Sequence, residues 1–220
     1  MARILGLDEA GRGSVVGPLV VGAFLVELED VDRLLEIGVD DSKALDPEER
    51  ERLYAMLPSI GECDSIVLPP REIDLFVTRG KLNELEARTF GTLITRLGPD
   101  EVRADACDAN ARRFARAVSR WARGTAARII ARHHLDEEDP IVGAASIIAK
   151  VRRDRALARL RRQLGEELGS GYPSDPRTIL FLREHLAVEL GVPAYVRASW
   201  ATMQRVMPER PTRTLDAFEP

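Results

Sequence analysis

The amino-acid sequence predicts an α/β fold, in which helices pack on both faces of a mixed sheet and further helices form a C-terminal extension. Three observations support this prediction. Two apolar segments separated by a glycine-rich stretch open the chain, which favours an antiparallel pair of strands. Strand and helix patterns alternate in the second half, which is typical of parallel strands joined by helices. Two helical patterns with no strand between them then complete the globule.

The predicted elements follow the hydrophobic periodicity of the chain. The opening strands cover residues 4–9 and 19–27, and the first helix begins at Pro47 with Asp46 as its cap. Three further strands are expected at residues 64–68, 101–106 and 125–132. The remaining helices are expected at residues 81–97, 109–121, 140–164, 176–190 and 196–206. Residues 1–207 are therefore assigned to one domain.

Length and composition are those of a single-domain globular protein. The chain has 220 residues, of which 45% are hydrophobic and 31% are charged, an ordinary balance for a protein that folds. Its apolar runs are shorter than the roughly 18 residues that span a bilayer, and its first residues lead directly into a strand. We therefore expect a cytoplasmic monomer that does not enter a membrane. Residues 208–220 contain three prolines and are expected to form a flexible tail.

The two cysteines do not form the pattern of a disulfide framework or a structural zinc site. Cys63 and Cys107 lie far apart in the sequence, and neither belongs to a Cys-x-x-Cys or a Cys/His pair. We expect both to be packing residues.

Basic residues are concentrated in one segment with helical spacing. The formal net charge of the chain is −4, so any binding of nucleic acid depends on where the basic residues cluster. Between residues 149 and 164 the chain carries Lys150, Arg152, Arg153, Arg155, Arg159, Arg161 and Arg162. Taken alone, this segment fits a solvated helix face and a phosphate-binding face equally well.

Two adjacent carboxylates end the first predicted strand. Asp8 and Glu9 open the sequence Asp-Glu-Ala-Gly-Arg-Gly at residues 8–13. Neighbouring strand residues point to opposite faces, and buried carboxylates are costly unless they are solvated, paired or bound to a cation. The stretch lacks the Gly-x-x-x-x-Gly-Lys pattern of a phosphate-cradling loop, whereas Mg²⁺ accepts carboxylate ligands and bridges them to phosphates. The alternative is an exposed strand end that runs into a turn.

Two further acids follow predicted strands. Asp105 lies near the end of one strand, and Asp136 follows the next strand along the chain. Because residues at the ends of neighbouring strands meet on one rim of an α/β sheet, these two acids can share a site with Asp8 and Glu9. Each also fits a simpler role, Asp105 in a turn and Asp136 in a solvated acidic loop.

Six segments match one known family in composition and order. They are residues 8–13, 41–43 (Asp-Ser-Lys), 82–84 (Leu-Asn-Glu), 104–106 (Ala-Asp-Ala), 144–150 (Ala-Ala-Ser-Ile-Ile-Ala-Lys) and 169–176 (Gly-Ser-Gly-Tyr-Pro-Ser-Asp-Pro). Together they resemble ribonuclease HII, most closely its archaeal form. The resemblance implies a ribonuclease H-like fold with a C-terminal helical extension. It also implies a site for Mg²⁺ or Mn²⁺, with two ions during catalysis, formed by Asp8, Glu9, Asp105 and Asp136.

The resemblance further assigns the residues around this site. It implies that the turn formed by Gly11, Arg12 and Gly13 meets the nucleic-acid backbone at the ribonucleotide. Tyr172 is implied to stack at the sugar and to help recognise the 2′-hydroxyl. The positions near bound phosphates are matched by Ser42, Lys43 and Lys150. Because the basic segment then follows the acidic rim directly, its arginines are better interpreted as partners of the duplex backbone.

The fourth metal ligand has two candidates. Glu137, Glu138 and Asp139 crowd Asp136, and His134 stands where the family usually has a lysine. A shift of one residue in this segment would place Glu137 in the site instead. Both assignments remain open at this point.

The activity implied by the resemblance is endonucleolytic hydrolysis of the RNA strand of RNA–DNA hybrids and cutting at single ribonucleotides embedded in duplex DNA. The resemblance also implies a two-metal-ion mechanism that leaves 5′-phosphate and 3′-hydroxyl ends. The implied role is ribonucleotide removal and the processing of primers and hybrids in DNA repair and replication. A junction resolvase or a type 3 ribonuclease H is a first alternative, against which the Gly-Arg-Gly turn and the tyrosine segment argue. A catalytically silent nucleic-acid-binding module is a second, and such a module would be expected to lose one or more of the four acids.

The tail carries a short apolar motif. Leu215 and Phe218 are spaced by three residues in a segment with almost no core-forming pattern. The segment resembles the sliding-clamp binding peptide that closes many archaeal replication and repair proteins, with these two residues at its apolar anchor positions. Thr212 stands where that motif has Gln, and Glu219 stands where a second aromatic is common. The alternative is a frayed terminus without a partner.

Overall fold

A five-stranded mixed sheet forms the centre of the fold. The computed structural model describes residues 2–39, 45–188 and 191–207. The strands are β1 (Arg3–Ala10), β2 (Leu19–Glu27), β3 (Glu62–Leu68), β4 (Glu101–Asp105) and β5 (Arg128–Arg132). They lie in the order β3-β2-β1-β4-β5. The first three strands pair antiparallel and β1, β4 and β5 pair parallel, so the predicted mixed sheet is confirmed.

Helices cover both faces of the sheet and extend beyond it. They are α1 (Asp32–Ile37), α2 (Pro47–Met56), α3 (Pro70–Val77), α4 (Leu82–Leu97), α5 (Ala111–Trp121), α6 (Leu135–Glu138), α7 (Pro140–Leu164), α8 (Pro176–Val188) and α9 (Ala201–Val206). Within the described residues, none of these helices combines the length and the apolar character needed to cross a bilayer.

One face of the sheet packs against α4 and α5. Leu5 and Leu7, alternate residues of β1, point into an apolar layer with Phe90 of α4 and Phe114 of α5. The two aromatic rings meet edge to face with their centroids 5.3 Å apart. This layer holds α4 against the side of β1 that carries Leu5 and Leu7.

The opposite face is crossed by α7 at very short range. A Cβ atom added at Gly6 would lie 2.2 Å from the carbonyl oxygen of Ile141, and one added at Gly22 would lie 2.1 Å from that of Ala145. Only glycine permits the helix backbone to approach β1 and β2 this closely. The close approach carries Ser146 of α7 to the end of β1.

The C-terminal extension packs on the loop between β1 and β2. Val15 and Val16 of this loop share an apolar cluster with Phe181 of α8 and Met203 of α9. Val16 also forms an isolated antiparallel bridge with Val196. The extension is therefore built onto the segment that follows the two acids of β1.

Several predicted bounds differ from the structure. β5 begins at Arg128 and not at residue 125, because Gly124 has a φ of +68° and the Thr125 side chain accepts a 3.0 Å hydrogen bond from the amide of Ala127, which together make a turn. The predicted helix at residues 196–206 begins only at Ala201, since the preceding residues pair with the β1–β2 loop.

Three short helices are absent from the sequence-based assignment. The sequence does not predict α1 or α3, and the expected acidic loop after β5 forms the single turn of α6. Pro69 and Pro70 were expected to end a strand, and Pro70 also opens α3 because proline suits the first helical position. Residues 189–190, the expected end of α8, lie outside the described residues.

Candidate active site

The carboxyl ends of three parallel strands meet on one rim of the sheet. Asp8 and Glu9 lie at the end of β1, and Asp105 ends β4. The amide of Leu135 donates a 2.8 Å hydrogen bond to Asp105 Oδ1, which ties the start of α6 to the end of β4. This contact brings Asp136 to the same rim, where its charge acts on both Asp8 and Asp105. The structure thus brings together the four acids that the sequence predicts to share a site.

The four consecutive acids at residues 136–139 make different contacts. Asp136 is buried and faces the other acids of the rim. Glu137 lies 3.4 Å from the ring of His134, Glu138 forms an ion pair on the surface, and Asp139 caps α7. The geometry therefore favours Asp136 over Glu137 as the fourth ligand.

Burial and the charges of neighbouring acids disfavour the ionised form of Asp8 and Asp105. Burial raises the pKa of Asp8 well above its ordinary value, the charge of Glu9 raises it further, and the nearby Ser146 hydroxyl partly offsets the shift. Burial also raises the pKa of Asp105, against the lowering effect of the Leu135 amide. A bound cation would reverse this penalty because it favours the charged carboxylates.

Glu9 points to the opposite face of β1 from Asp8, as alternation along a strand requires. Its Oε2 atom accepts a 3.1 Å hydrogen bond from the thiol of Cys107. Burial and the charge of Glu86 on α4 raise the pKa of Glu9 to about 7. Glu86 is fully buried and accepts a 2.8 Å bond from Arg12 Nε at its Oε1 atom, whereas its Oε2 atom has no hydrogen-bond partner in the described part of the chain.

A buried arginine from the C-terminal extension holds the turn after β1. Arg197 donates hydrogen bonds to the carbonyl oxygens of Gly11 (2.7 Å), Arg12 (2.9 Å) and Gly17 (3.1 Å). Its guanidinium lies over the indole of Trp200 at 4.8 Å, and burial lowers its pKa to about 9. Because two carbonyls of the Gly-Arg-Gly turn and the carbonyl of Gly17 bond to one side chain, the shape of the turn depends on a distant residue.

Tyr172 lies against the same turn. A Cβ atom at Gly13 would stand 4.0 Å from its ring, and the guanidinium of Arg153 lies 4.6 Å from the ring centre. Arg153 is itself buried and donates a 2.8 Å bond to the carbonyl of Ser170. Gly11 has a φ of +87°, and a Cβ there would meet Arg153 Nε at 2.4 Å, so glycine is required. Arg153 thus packs between the two sequence motifs.

The basic residues of α7 divide into two groups. Arg153, Arg155 and Arg161 are engaged within the protein, with the Ser170 carbonyl, Glu51 and the Gly169 carbonyl respectively. The remaining ones have no hydrogen bond or ion pair to another described residue, and they are Lys150, Arg152, Arg159 and Arg162. The residues of this second group are therefore the better candidates on α7 for binding phosphates, because no ion pair has to break first.

Four predicted residues fall outside the described part of the chain. Ser42 and Lys43 lie in the gap between residues 39 and 45, and Leu215 and Phe218 lie after residue 207. Their roles stay predictions from the sequence.

Sequence reasoning missed three side chains at the site. Glu86 lies four residues before Phe90 and shares its buried face of α4. A carboxylate at a position where the helical pattern expects an apolar residue is a signal that could have identified Glu86 from the sequence. Arg197 gave no such signal, because the sequence pattern assigns it to a helix, whereas it lies before α9 in the segment that packs on the β1–β2 loop. Cys107 packs against the core as expected, but its thiol also contacts Glu9.

The donor set of the rim suits a hard divalent cation. Asp8, Asp105 and Asp136 supply carboxylate oxygens, which Mg²⁺ and Mn²⁺ prefer. No lysine or arginine among the described residues forms an ion pair with any of these three acids. Within the described residues no cationic side chain therefore neutralises their charge, and the residues present fit a metal site.

Comparisons with known proteins agree on one family. A family model described as ribonuclease HII matches residues 5–203. The chain is 41% identical over 219 residues to ribonuclease HII of Methanocella arvoryzae, which covers 99% of this chain and 97% of the relative. It superposes on the ribonuclease H2 of Pyrococcus horikoshii with a TM-score of 0.85, 40% identity and coverage of 93% and 96%. It superposes on the PCNA:RNase HII complex structure from Archaeoglobus fulgidus with a TM-score of 0.82, 36% identity and coverage of 98% and 99%.

The raised pKa of Asp8 predicts how the stability of the metal-free protein changes with pH. A raised pKa in the folded state stabilises the protein below pH ~4, and this contribution is lost as the pH rises through the raised value. At pH 7.5 without metal, we expect Asp8→Asn to increase the free energy of unfolding by on the order of 1–3 kcal/mol, with little gain at pH 4.

Urea unfolding in EDTA at several pH values measures this effect, with Glu184→Gln on the exposed surface of α8 as the control. Saturating Mg²⁺ should reduce or reverse the advantage of Asp8→Asn because the wild type gains more from the cation. A variant that is less stable than the wild type at every pH in EDTA would contradict the electrostatic account of the rim.

Proposed function

This chain belongs to the ribonuclease HII family and is accordingly a metal-dependent endoribonuclease that acts on the RNA of RNA–DNA hybrids; on that premise we propose that it also cuts duplex DNA at single embedded ribonucleotides. The family resemblance and the fold class predicted from the sequence are confirmed. The proposed products carry 5′-phosphate and 3′-hydroxyl ends. The proposed role is ribonucleotide removal and the processing of primers and hybrids.

The observation that carries the proposal is the contact between the Gly-Arg-Gly turn and Tyr172 next to the acidic residues. Gly13 is exposed and adjoins the tyrosine ring. Discrimination of RNA from DNA at one nucleotide needs groups that reach the 2′-hydroxyl, and backbone amides or a phenol can supply them for any base. Recognition of one sugar requires only one ribonucleotide in the duplex. This arrangement therefore fits cleavage at a single embedded ribonucleotide better than a requirement for a long hybrid.

The four acids are the proposed ligands of two divalent ions, Mg²⁺ or Mn²⁺. When bound, such ions activate the attacking water and stabilise the leaving oxygen of a phosphodiester. The chain itself positions the ligands: the Leu135 amide orients Asp105, and α7 encloses the side of β1 that carries Asp8. Because the ions supply the activation, the protein needs no separate general base.

Phosphate binding is proposed for the free basic residues of α7 together with Ser42 and Lys43. Arg152, Arg159 and Arg162 are exposed and Lys150 is half-buried near the start of the same run. Ser146 of α7 lies beside Asp8, so Lys150, about one turn further along the helix, begins a basic run that leads away from the acidic rim. Cations in this position would hold the duplex backbone without reading its sequence.

A sliding clamp is the proposed partner of the tail at residues 208–220, which we treat as separate from the catalytic domain at residues 1–207. The motif with Leu215 and Phe218 supports this partner, as does the relative from Archaeoglobus fulgidus that was solved as a complex with PCNA. Two apolar anchors on a short segment suit a hydrophobic groove.

Removing single ligand charges tests the four-acid site. We expect Asp105→Asn and Asp136→Asn each to reduce Mg²⁺-dependent cleavage of a duplex with one ribonucleotide by at least about a hundredfold. Glu138→Gln changes an exposed acid nearby and should keep near-normal turnover. Mass spectrometry of the products identifies the ends, with an RNA–DNA hybrid and an all-DNA duplex as reference substrates.

Glu137→Gln decides between the two candidates for the fourth ligand. Loss of cleavage in this variant together with activity in Asp136→Asn would move the ligand to Glu137. Near-normal Mg²⁺-dependent turnover in Asp105→Asn would overturn the four-acid site altogether.

Tyr172→Phe tests recognition of the sugar. Loss of one hydrogen bond to the 2′-hydroxyl should lower kcat/KM at a single embedded ribonucleotide by about tenfold. Binding to an all-DNA duplex should change far less, since phosphate contacts come mainly from lysine and arginine. Tyr54→Phe is the matched control, because Tyr54 lies under Arg155 at the same 4.6 Å as Tyr172 under Arg153. Equal losses on both duplexes would make Tyr172 a structural residue.

The tail is tested with a peptide of residues 208–220 and the cognate clamp. We expect weak binding by the peptide and by the full chain. Binding should be lost when Leu215→Ala and Phe218→Ala are combined, because no apolar anchor then fills the groove of the clamp. Cleavage of short duplexes without the clamp should be unaffected. Absence of clamp binding by the full chain at low salt would reject the proposal.

A further inference from the structure

Cys107, Glu9 and Glu86 converge on the α4 side of the sheet, on the opposite face of β1 from Asp8. One ligand atom from each residue, a thiol sulfur and two carboxylate oxygens, lies within 4.8 Å of the others. We propose that these three side chains form a second metal site, which takes a thiophilic divalent cation such as Zn²⁺, Co²⁺ or Cd²⁺. The oxygen ligands of the acidic rim suit Mg²⁺ or Mn²⁺, so the two sites differ in the cations that they select.

The spacing of the three ligand atoms fits one ion. Zn²⁺ binds sulfur at roughly 2.3 Å and carboxylate oxygen at roughly 2.1 Å, so two ligands of a tetrahedral ion stand about 3.5 Å apart. The sulfur of Cys107 and the Oε2 atom of Glu9 are already 3.1 Å apart in their hydrogen bond. A movement of about an ångström or less would bring the third ligand to bonding distance.

Glu86 supplies an independent sign that a ligand belongs here. Its side chain is fully buried, and its Oε2 atom has no hydrogen-bond partner within the described residues. A buried carboxylate oxygen without a partner is costly, and a cation would satisfy it. Arg12 occupies only the Oε1 atom, at 2.8 Å, and thereby leaves the second oxygen free for an ion.

The cluster is accessible to an incoming ion. Cys107 and Glu9 are half-buried, so one side of the cluster opens to solvent. Binding replaces the thiol proton by the metal: the S–H bond breaks, a sulfur–metal bond forms, and one proton passes to the solvent. No change of oxidation state is involved.

Occupancy of this site affects cleavage through Glu9. Glu9 is also a proposed ligand of the hard-cation site, so this consequence rests on the proposed function. A thiophilic cation that binds Glu9 from the α4 side competes with the rim for the same carboxylate. Zn²⁺ should therefore inhibit Mg²⁺-dependent cleavage.

Cobalt absorbance tests the site without any activity assay. Co²⁺ added to the reduced, metal-free full chain should produce a near-ultraviolet sulfur-to-cobalt charge-transfer band that only a bound thiolate gives. Cys107→Ser should abolish the band, and Glu86→Gln should weaken Co²⁺ binding by about tenfold or more. Cys63→Ser is the matched control, since Cys63 lies on β3 in a different apolar cluster, and it should keep the band.

The outcomes separate this inference from the proposed function. A band that persists in Asp105→Asn, a variant expected to lose cleavage, shows that the sulfur site does not need the acidic rim. Zn²⁺ inhibition that weakens by about tenfold or more in Cys107→Ser supports competition through Glu9. Absence of the band in the wild type, or its loss in Cys63→Ser while Cys107→Ser retains it, would overturn the second site whatever the result for cleavage.

Discussion

Repulsion between carboxylates at the end of β1 is the constraint on which the rest of the site depends. Asp8 is buried beside three other acids, and no described lysine or arginine pairs with it. The apolar layers on both faces of the sheet and the hydrogen bond from Leu135 to Asp105 hold these charges together. Packing therefore offsets the cost of a carboxylate cluster whose repulsion a bound cation, or protonation at low pH, would relieve. Folding and metal binding are therefore linked, since an ion that binds only the folded state stabilises it.

Strand alternation divides the chemistry of the two neighbouring acids. Asp8 faces α7 and the acids of the rim, whereas Glu9 faces α4, where a thiol and a second glutamate lie. One residue of offset along β1 therefore separates an environment of oxygen ligands from one that includes sulfur. The close approach of α7 at Gly6 preserves this division because the helix backbone closes one face of the strand.

The local sequence was sufficient to predict the strands of the sheet and the acids that lie at the strand ends. The strand at residues 19–27 and the helix at residues 140–164 have the predicted bounds, because long apolar patterns outweigh local ambiguity. Tertiary contacts could not be read in this way. The buried carboxylate of Glu86 is paired with Arg12, which lies 74 residues away. The choice between Asp136 and Glu137 depends on which of the two side chains the single turn of α6 buries. Both depend on three-dimensional packing that periodicity does not encode.

Arg197 makes the turn after β1 dependent on completion of the chain. The guanidinium that binds the carbonyl of Gly11 lies 186 residues further along the sequence. During synthesis on the ribosome, β1 and β2 emerge early, but the turn between them cannot take its final form until Arg197 has also emerged. The order of synthesis thus delays closure of the turn beside the acids until long after the strands on either side of it have emerged.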